Sequence, residues 1–323
     1  MILGSHVSFG KEQILGSVKE ALSYGANTFM FYTGAPQNTV RKSIDMNLVK
    51  EALSLMQEHN IDVNNVICHA PYIVNLANDL DDTKYNFSIN FLKNELQRCE
   101  EIGIKYIVLH PGSSVGIPKE KALDNIIFAL NKIITPASKT SVLLETMAGK
   151  GTELGSTLEE IKYIIDGIEN QDKIGVCLDT CHLNDAGYNI ADFDTFLNDF
   201  DNLIGLKYLK CIHVNDSKNV YNSHKDRHAN IGYGTIGFET LLKIINHEKL
   251  KSIPKILETP FIGEHDDDKD RIYPPYKFEI IMIKEGKFNN NLMNDIRSFY
   301  KKDWFLIIVL YNIHFRKEEY VCH

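Results

Sequence analysis

No Cys-x-x-Cys pair, no Gly-x-Gly-x-x-Gly after an early strand, no Walker loop and no Gly/Ser- or Pro-rich tract occurs in these 323 residues. Each absence closes a class. The six cysteines, at 68, 99, 177, 181, 211 and 322, lack the spacing of a Cys-ligated structural zinc module. Cys68, Cys177 and Cys211 lie inside apolar runs, as reduced core thiols do, and predict a cytosolic chain without disulfides. The opening Met1-Ile2-Leu3-Gly4-Ser5-His6 has no basic n-region and no long apolar h-region, so secretion is not expected. The apolar run Trp304–Tyr311 is far short of the ~20 residues that a membrane-spanning helix needs. Without a linker, nothing marks a boundary between ordinary domains. An excess of basic residues is missing too. The formal charge is −8, the wrong sign for a nucleic-acid partner. That objection weakens if carboxylates hold cations, because the local field rather than the net charge steers a phosphate.

Apolar runs that end on a possible metal ligand are abundant. Six of them are Val66–His69, Tyr106–His110, Val142–Glu145, Ile174–Asp179, Leu209–His213 and Lys255–Glu258. Their last residues recur 34 to 45 positions apart, the length of a repeated strand-plus-helix unit. A buried strand gains nothing by ending in imidazole or carboxylate. A site at the strand ends explains the pattern better than packing does.

Two further strand candidates, Ile2–Val7 and Ala26–Tyr32, precede the six. Between strands, Ile14, Val18, Ala21 and Leu22 follow the three-four helical spacing, as do Leu48, Ala52, Leu55 and Met56. Comparable patterns run from about Lys84 to Ile102, Lys119 to Ile134, Leu158 to Ile168, Phe193 to Leu203 and Phe238 to Ile245. Eight strands alternating with helices predict an α/β fold, a single (β/α)8 TIM barrel with its site at the carboxyl ends of the strands. The alternative, a doubly wound open sheet, lacks its glycine fingerprint after an early strand. After Pro274-Pro275 a helix is expected to close the barrel, with another from Leu292 to Tyr300.

Loops add to the strand-end set. Asp179-Thr180-Cys181-His182 carries a second imidazole just past a carboxylate, and Asp226-Arg227-His228 offers another pair. The candidate ligands are therefore His69, His110, Glu145, Asp179, His182, His213, Asp226, His228 and Glu258. Cys181 is a weaker candidate, and His59, His224, His247, His265, His314 and His323 lack the strand-end context. Five imidazoles and four carboxylates exceed what one zinc takes, and N/O donors suit zinc, with manganese or iron as alternatives. A strand-end His taken alone is an ordinary structural histidine; convergence on one barrel face is what gives the set its meaning.

Eight segments then carry a family likeness: Gly4–Ser8, His69-Ala70-Pro71-Tyr72, Leu109–Gly112, Leu144-Glu145-Thr146, Leu178–His182, His213–Ser217, Asp226-Arg227-His228 and Leu257–Pro260. In this order, across residues 1 to about 290, they resemble bacterial endonuclease IV, the zinc-dependent apurinic/apyrimidinic endonuclease. The resemblance implies three Zn2+ per chain. His69, His110 and Glu145 would hold one. Glu145 would bridge to a second, with Asp179, His213 and Glu258. His182, Asp226 and His228 would hold the third. Three such ions would bring the formal −8 of the chain to about −2, with the added positive charge concentrated at one face. The implied substrate is duplex DNA with an abasic site, cut on its 5′ side to leave a 3′-hydroxyl and a 5′-deoxyribose phosphate. Cleaning of blocked 3′ ends is the implied second activity. The implied setting is a cytoplasmic monomer that does not engage membranes.

The chemistry is consistent with this. Zinc makes water acidic near neutral pH, and neighbouring cations neutralise charge growing on a phosphate. Glu258 and Glu145 are the catalytic candidates, the first by orienting or deprotonating the water, the second by bridging. Abasic sites lack stacking and cost less to extrude than paired nucleotides. Gln37, Asn38 and Arg41, in the loop after the second strand, and Tyr72-Ile73, beside His69, are the expected DNA contacts. The family often has a basic residue at the place of Gln37, and Arg41 is expected to compensate. Residues 1–298 form the expected endonuclease domain and 299–323 an extension foreign to the family. Two rivals stand beside this reading. A sugar isomerase or epimerase would need only Glu145, Asp179, His213 and Glu258. A non-catalytic metal-stabilised DNA-binding module would be expected to use Cys-rich ligation.

Overall fold

A computed structural model describes residues 1–301. The run Trp304–Tyr311 and Cys322 lie outside the described residues. The described residues form two compact units, Met1–Thr259 and a second that begins at Pro260.

The first unit contains β1 (Leu3–His6), β2 (Thr28–Phe31), β3 (Ile67–His69), β4 (Tyr106–Leu109), β5 (Ser141–Glu145), β6 (Ile174–Asp179) and β7 (Leu209–Val214). A two-stranded hairpin, β8 (Asp216–Ser217) with β9 (His228–Ala229), follows, and then β10 (Lys255–Leu257). Strands β1 to β7 and β10 pair in parallel and close on themselves in the order β1-β10-β7-β6-β5-β4-β3-β2. This is the eight-stranded barrel that the sequence predicts, and it replaces the open-sheet alternative. Helices α1 (Gln13–Ser23), α2 (Met46–Glu58), α3 (Asp82–Ile102), α4 (Lys119–Ile133), α5 (Leu158–Gly167), α6 (Thr180–Ala186), α7 (Phe193–Leu203) and α8 (Phe238–Ile245) lie between strands. The short α6 was not legible from periodicity: at seven residues it is too brief to show two turns of an apolar stripe. The polar stretch expected to be plain loop contains the β8–β9 hairpin.

Strand periodicity decides what points inward. Met30, Ile67, Val108, Leu143, Cys177, Cys211 and Ile256 form one fully buried cluster, a layer of the barrel interior. Successive side chains of a strand alternate faces, so residues two positions on share the interior side. Two positions beyond these residues stand Tyr32, His69, His110, Glu145, Asp179, His213 and Glu258. An apolar layer therefore lies directly beneath the candidate ligands. Gly4 lets β1 approach β2, since a Cβ there would sit 1.8 Å from the Thr28 carbonyl oxygen. Cys68, Cys99, Cys177, Cys181 and Cys211 are buried and free of disulfides.

The second unit holds an antiparallel pair, β11 (Ile262–Gly263) with β12 (Arg271–Tyr273), then α9 (Tyr276–Glu285) and a helix over residues 292–301. That helix runs through the expected boundary at 298/299. Phe299 meets Phe278 edge-on at 5.4 Å, and Tyr300 stacks on Tyr273 at 5.4 Å. Among the described residues no helix is long and apolar enough to cross a membrane.

Candidate metal centre

Glu145, the last residue of β5, is the hub. It is 1% exposed. Its Oε2 lies 3.1 Å from His69 Nε2 and 3.1 Å from His110 Nε2. Its Oε1 lies 3.0 Å from His213 Nδ1 and 3.5 Å from His182 Nδ1. His213 Nδ1 is also 3.0 Å from Glu258 Oε2 and 4.0 Å from Asp179 Oδ2. Across the centre, His182 Nε2 lies 3.2 Å from Asp226 Oδ1, and His228 Nε2 lies 3.5 Å from the same oxygen. All nine candidate ligands thus converge, although they come from six strand ends, α6 and the hairpin segment. The trio His69, His110 and Glu145 and the trio His182, Asp226 and His228 each present ligand atoms within 4.8 Å of one another. Asp179, Cys181 and His228 do so as well, as do Cys177, Cys211 and His213 beneath. Burial pushes the Cys181 and Cys177 thiols up, away from the thiolate a metal would take.

Hydrogen bonds outside the centre fix which ring nitrogen faces in. His69 Nδ1 lies 2.7 Å from the Ala70 carbonyl, His182 Nδ1 2.9 Å from that of Thr146 and His228 Nδ1 3.3 Å from that of Glu258. Donation from Nδ1 to a carbonyl leaves the Nε2 lone pair free, which is how metal-ligating imidazoles are ordinarily held. His228 Nε2 is buried without a hydrogen-bond partner, yet it faces Asp226 at 3.5 Å and Asp179 at 3.8 Å. That spacing is too long for a hydrogen bond and suits a cation between the atoms. Among the described residues, histidines alone pair with Glu145, Asp179, Asp226 and Glu258. Glu145 and Asp179 are buried and Asp226 and Glu258 half-buried, and carboxylates so placed without Lys or Arg partners suit a metal centre.

Several contributors were not evident in the sequence. Asp179 is also the N-cap of α6, its Oδ1 accepting from His182 N at 2.8 Å. Asn215, fully buried, donates from Nδ2 to Asp179 Oδ2 at 2.7 Å and accepts from Glu258 N at 3.0 Å, tying two ligands together. Only its place two residues past His213 hinted at this. Asp216 organises the segment that bears His228, accepting N–H donors from Ser217, Gly232, Gly234, Ile236 and Gly237. Gly234 is obligatory there, since a Cβ would lie 2.3 Å from Asp216 Oδ1. His6, at the end of β1, meets Tyr32 edge-on at 5.1 Å, and Tyr32 lies 5.2 Å from His69.

The expected DNA-contact residues divide. Gln37, Asn38 and Tyr72 are exposed and Ile73 half-buried, on the loops after β2 and β3. Arg41 turns inward instead. Its Nε pairs with the buried Glu95 at 2.7 Å, its Nη1 bonds the Asn38 and Val40 carbonyls, and its guanidinium lies over Phe91. A buried carboxylate requires a cation more than a solvated loop does, and Arg41 therefore shapes the loop from below.

Electrostatics follow from this packing. Burial alone would lower the His182 pKa, but Asp179, the hydrogen bond to Asp226 and Glu145 outweigh it and raise it well above 6.5. Burial opposes ionisation of Glu145, yet His213 and His110 hold it well below the usual carboxylate range. The carboxylates that attract an ion to His182 therefore also favour a proton there, and the two compete. Metal uptake at pH 7 is expected to release protons, and apparent affinity to fall as pH falls. Calorimetric titration in buffers of different ionisation enthalpy reads this directly; a buffer-independent heat would contradict it.

A closed parallel barrel with a clustered His/carboxylate centre at its carboxyl-terminal mouth defines a metal-binding TIM barrel. Residues 18–272 match the family described as xylose isomerase-like TIM barrel. A probable endonuclease 4 of Enterococcus faecalis is 51% identical over 300 residues, covering 92% of this chain and 99% of the relative. The crystal structure of endonuclease IV from Thermus thermophilus superposes with TM-score 0.72 and 28% identity, over 88% of this chain and 98% of that one. A D-tagatose 3-epimerase-like protein, 20% identical with TM-score 0.61 over 91% and 99% of the two chains, shares the fold alone. The chain belongs to the endonuclease IV family.

Proposed function

We propose that this chain is a DNA-repair endonuclease that hydrolyses the phosphodiester 5′ to an abasic site in duplex DNA. It leaves a 3′-hydroxyl and a 5′-deoxyribose phosphate, cleans blocked 3′ ends, and acts as a cytoplasmic monomer with three Zn2+. The observation that carries the reading is the assembly of His69, His110, His182, Asp226 and His228 around the core of Glu145, Asp179, His213 and Glu258. A sugar isomerase needs only that core, and the additional five argue for phosphodiester chemistry.

His69, His110 and Glu145 would hold one ion, Glu145, Asp179, His213 and Glu258 a second, and His182, Asp226 and His228 the third. Ions so held would supply Lewis acidity, making a water acidic near neutral pH and neutralising phosphate oxygens. The chain's own contribution is positioning. Glu258, 18% exposed at its side chain, is the carboxylate nearer the open end, placed to accept a hydrogen bond from the attacking water. Glu145, deeper, holds the imidazoles together. Tyr72, 55% exposed beside His69, would enter the base stack while Gln37 and Asn38 line the groove. Residues 1–298 are the proposed endonuclease domain and 299–323 an extension.

The test is a labelled duplex with one abasic site, incubated with the protein in EDTA without magnesium. A single cut on the 5′ side, with the intact duplex untouched, is expected, because a buried three-ion centre releases zinc slowly. An uncut abasic duplex under both EDTA and zinc-supplemented conditions would overturn the assignment.

A further inference from the structure

Helix α6 and its N-cap carry two of the ligands, in the sequence Asp179-Thr180-Cys181-His182-Leu183-Asn184-Asp185. Residues three apart share a helix face, so Asp185 stands one turn beyond His182 on the same side. Asp185 is 0% exposed. A buried carboxylate persists only if donors satisfy it. Here four neutral donors do so. Ser217 Oγ and Asn184 Nδ2 reach Oδ1 at 2.7 and 3.0 Å, and Asn219 Nδ2 and the Asp226 backbone N–H reach Oδ2 at 2.7 and 3.1 Å. The His224 N–H donates to the Asp185 carbonyl at 2.9 Å.

Three of the four side-chain bonds bind the segment that delivers Asp226. That segment needs fastening. Asn222, His224 and Asp226 adopt φ of +60°, +53° and +55°, a left-handed conformation disfavoured outside glycine. We propose that Asp185 is the positioning residue of the His182/Asp226/His228 ion site. Its carboxylate holds the Asp226 backbone so that Asp226 Oδ1 faces His182 Nε2 at 3.2 Å. One helix therefore carries a ligand of this ion and the clamp for a second ligand. The inference rests on the three-ion centre proposed above.

The test measures metal content and affinity of the full-length protein after dialysis against a weak chelator, with correct folding checked by circular dichroism. Asp185→Asn keeps the shape but turns an amide NH2 toward donors. It is expected to weaken one of three ions about 10–100-fold, as loss of a partner behind a ligand does. Asp226→Ala should lose the same ion, and the double variant no more than Asp226→Ala alone. Asn219→Ala, which removes a single bond from a half-buried side chain, should weaken that ion by a smaller factor and serves if Asp185→Asn does not fold. Wild-type affinity for all ions in Asp185→Asn or, failing that, in Asn219→Ala, or equal loss of every ion, would overturn the role of Asp185. Should Asp226→Ala release no ion from the wild-type complement, the three-ion reading itself fails, and the Asp185 role with it.

Discussion

Glu258→Gln is expected to reduce single-turnover incision of an abasic duplex by about 10²–10⁴-fold while leaving binding of that duplex within a few-fold of wild type. The main chain at 258 is anchored independently of the carboxylate. Its N–H donates to Asn215 Oδ1 at 3.0 Å, and its carbonyl lies 3.3 Å from His228 Nδ1. The amide of Gln keeps that placement and an oxygen ligand but loses the anion. Burial opposes ionisation of Glu258, but His213 outweighs it and holds the carboxyl well below its usual range. The group is therefore anionic across the neutral range and accepts from a water at any working pH. A pH–rate profile should show no limb that vanishes in Glu258→Gln. Near-normal incision by the variant would remove Glu258 from the mechanism.

Glu145→Gln should have the larger effect on the centre itself. Glu145 faces four imidazoles within 3.5 Å, and burial leaves no solvent to replace its charge. Its two oxygens divide the work, Oε2 toward His69 and His110 and Oε1 toward His213 and His182. Gln offers one acceptor and one donor at that place, so one pair of imidazoles would face an N–H. We expect two of three zinc equivalents to be lost and incision to fall at least about 10³-fold, since removal of one electrostatic stabiliser alone costs 10²–10³-fold. Mass-spectrometric metal analysis with the incision assay checks it. A variant that still holds three ions would show that Glu145 does not bridge.

The two variants separate roles that sequence position alone does not. Glu145 ends β5, Glu258 directly follows β10, and both follow apolar runs. What distinguishes them is depth: 1% exposure of one side chain against 18% of the other. A carboxylate at the bottom of the mouth can only hold groups together, whereas one on the rim can also meet a water and a phosphate.

Legibility from the sequence followed the range of the forces involved. The eight barrel strands and their long helices were readable, because a strand buried on both faces is a continuous apolar run and burial imposes three-four spacing on a helix. Asp179, His213 and Glu258 were readable as the polar ends of those apolar runs. Helix α6 and the β8–β9 hairpin were not, since elements of seven and two residues leave no periodic signal. Arg41 was misleading. A basic residue in a loop beside a site suggests a phosphate contact, and nothing local tells that Glu95, 54 positions away, takes its guanidinium.

By itself the sequence determined the barrel, the mouth at which chemistry gathers and the donor types gathered there, because an apolar run and the polar residue that ends it are local properties. Only the tertiary structure decided how those donors group. The meeting of Glu145 with four imidazoles, the tie of Asn215 between Asp179 and Glu258, and the hold of Asp185 on the Asp226 segment all join residues from separate strands and loops. Barrel closure sets such contacts through inter-strand register, which no spacing along one chain encodes.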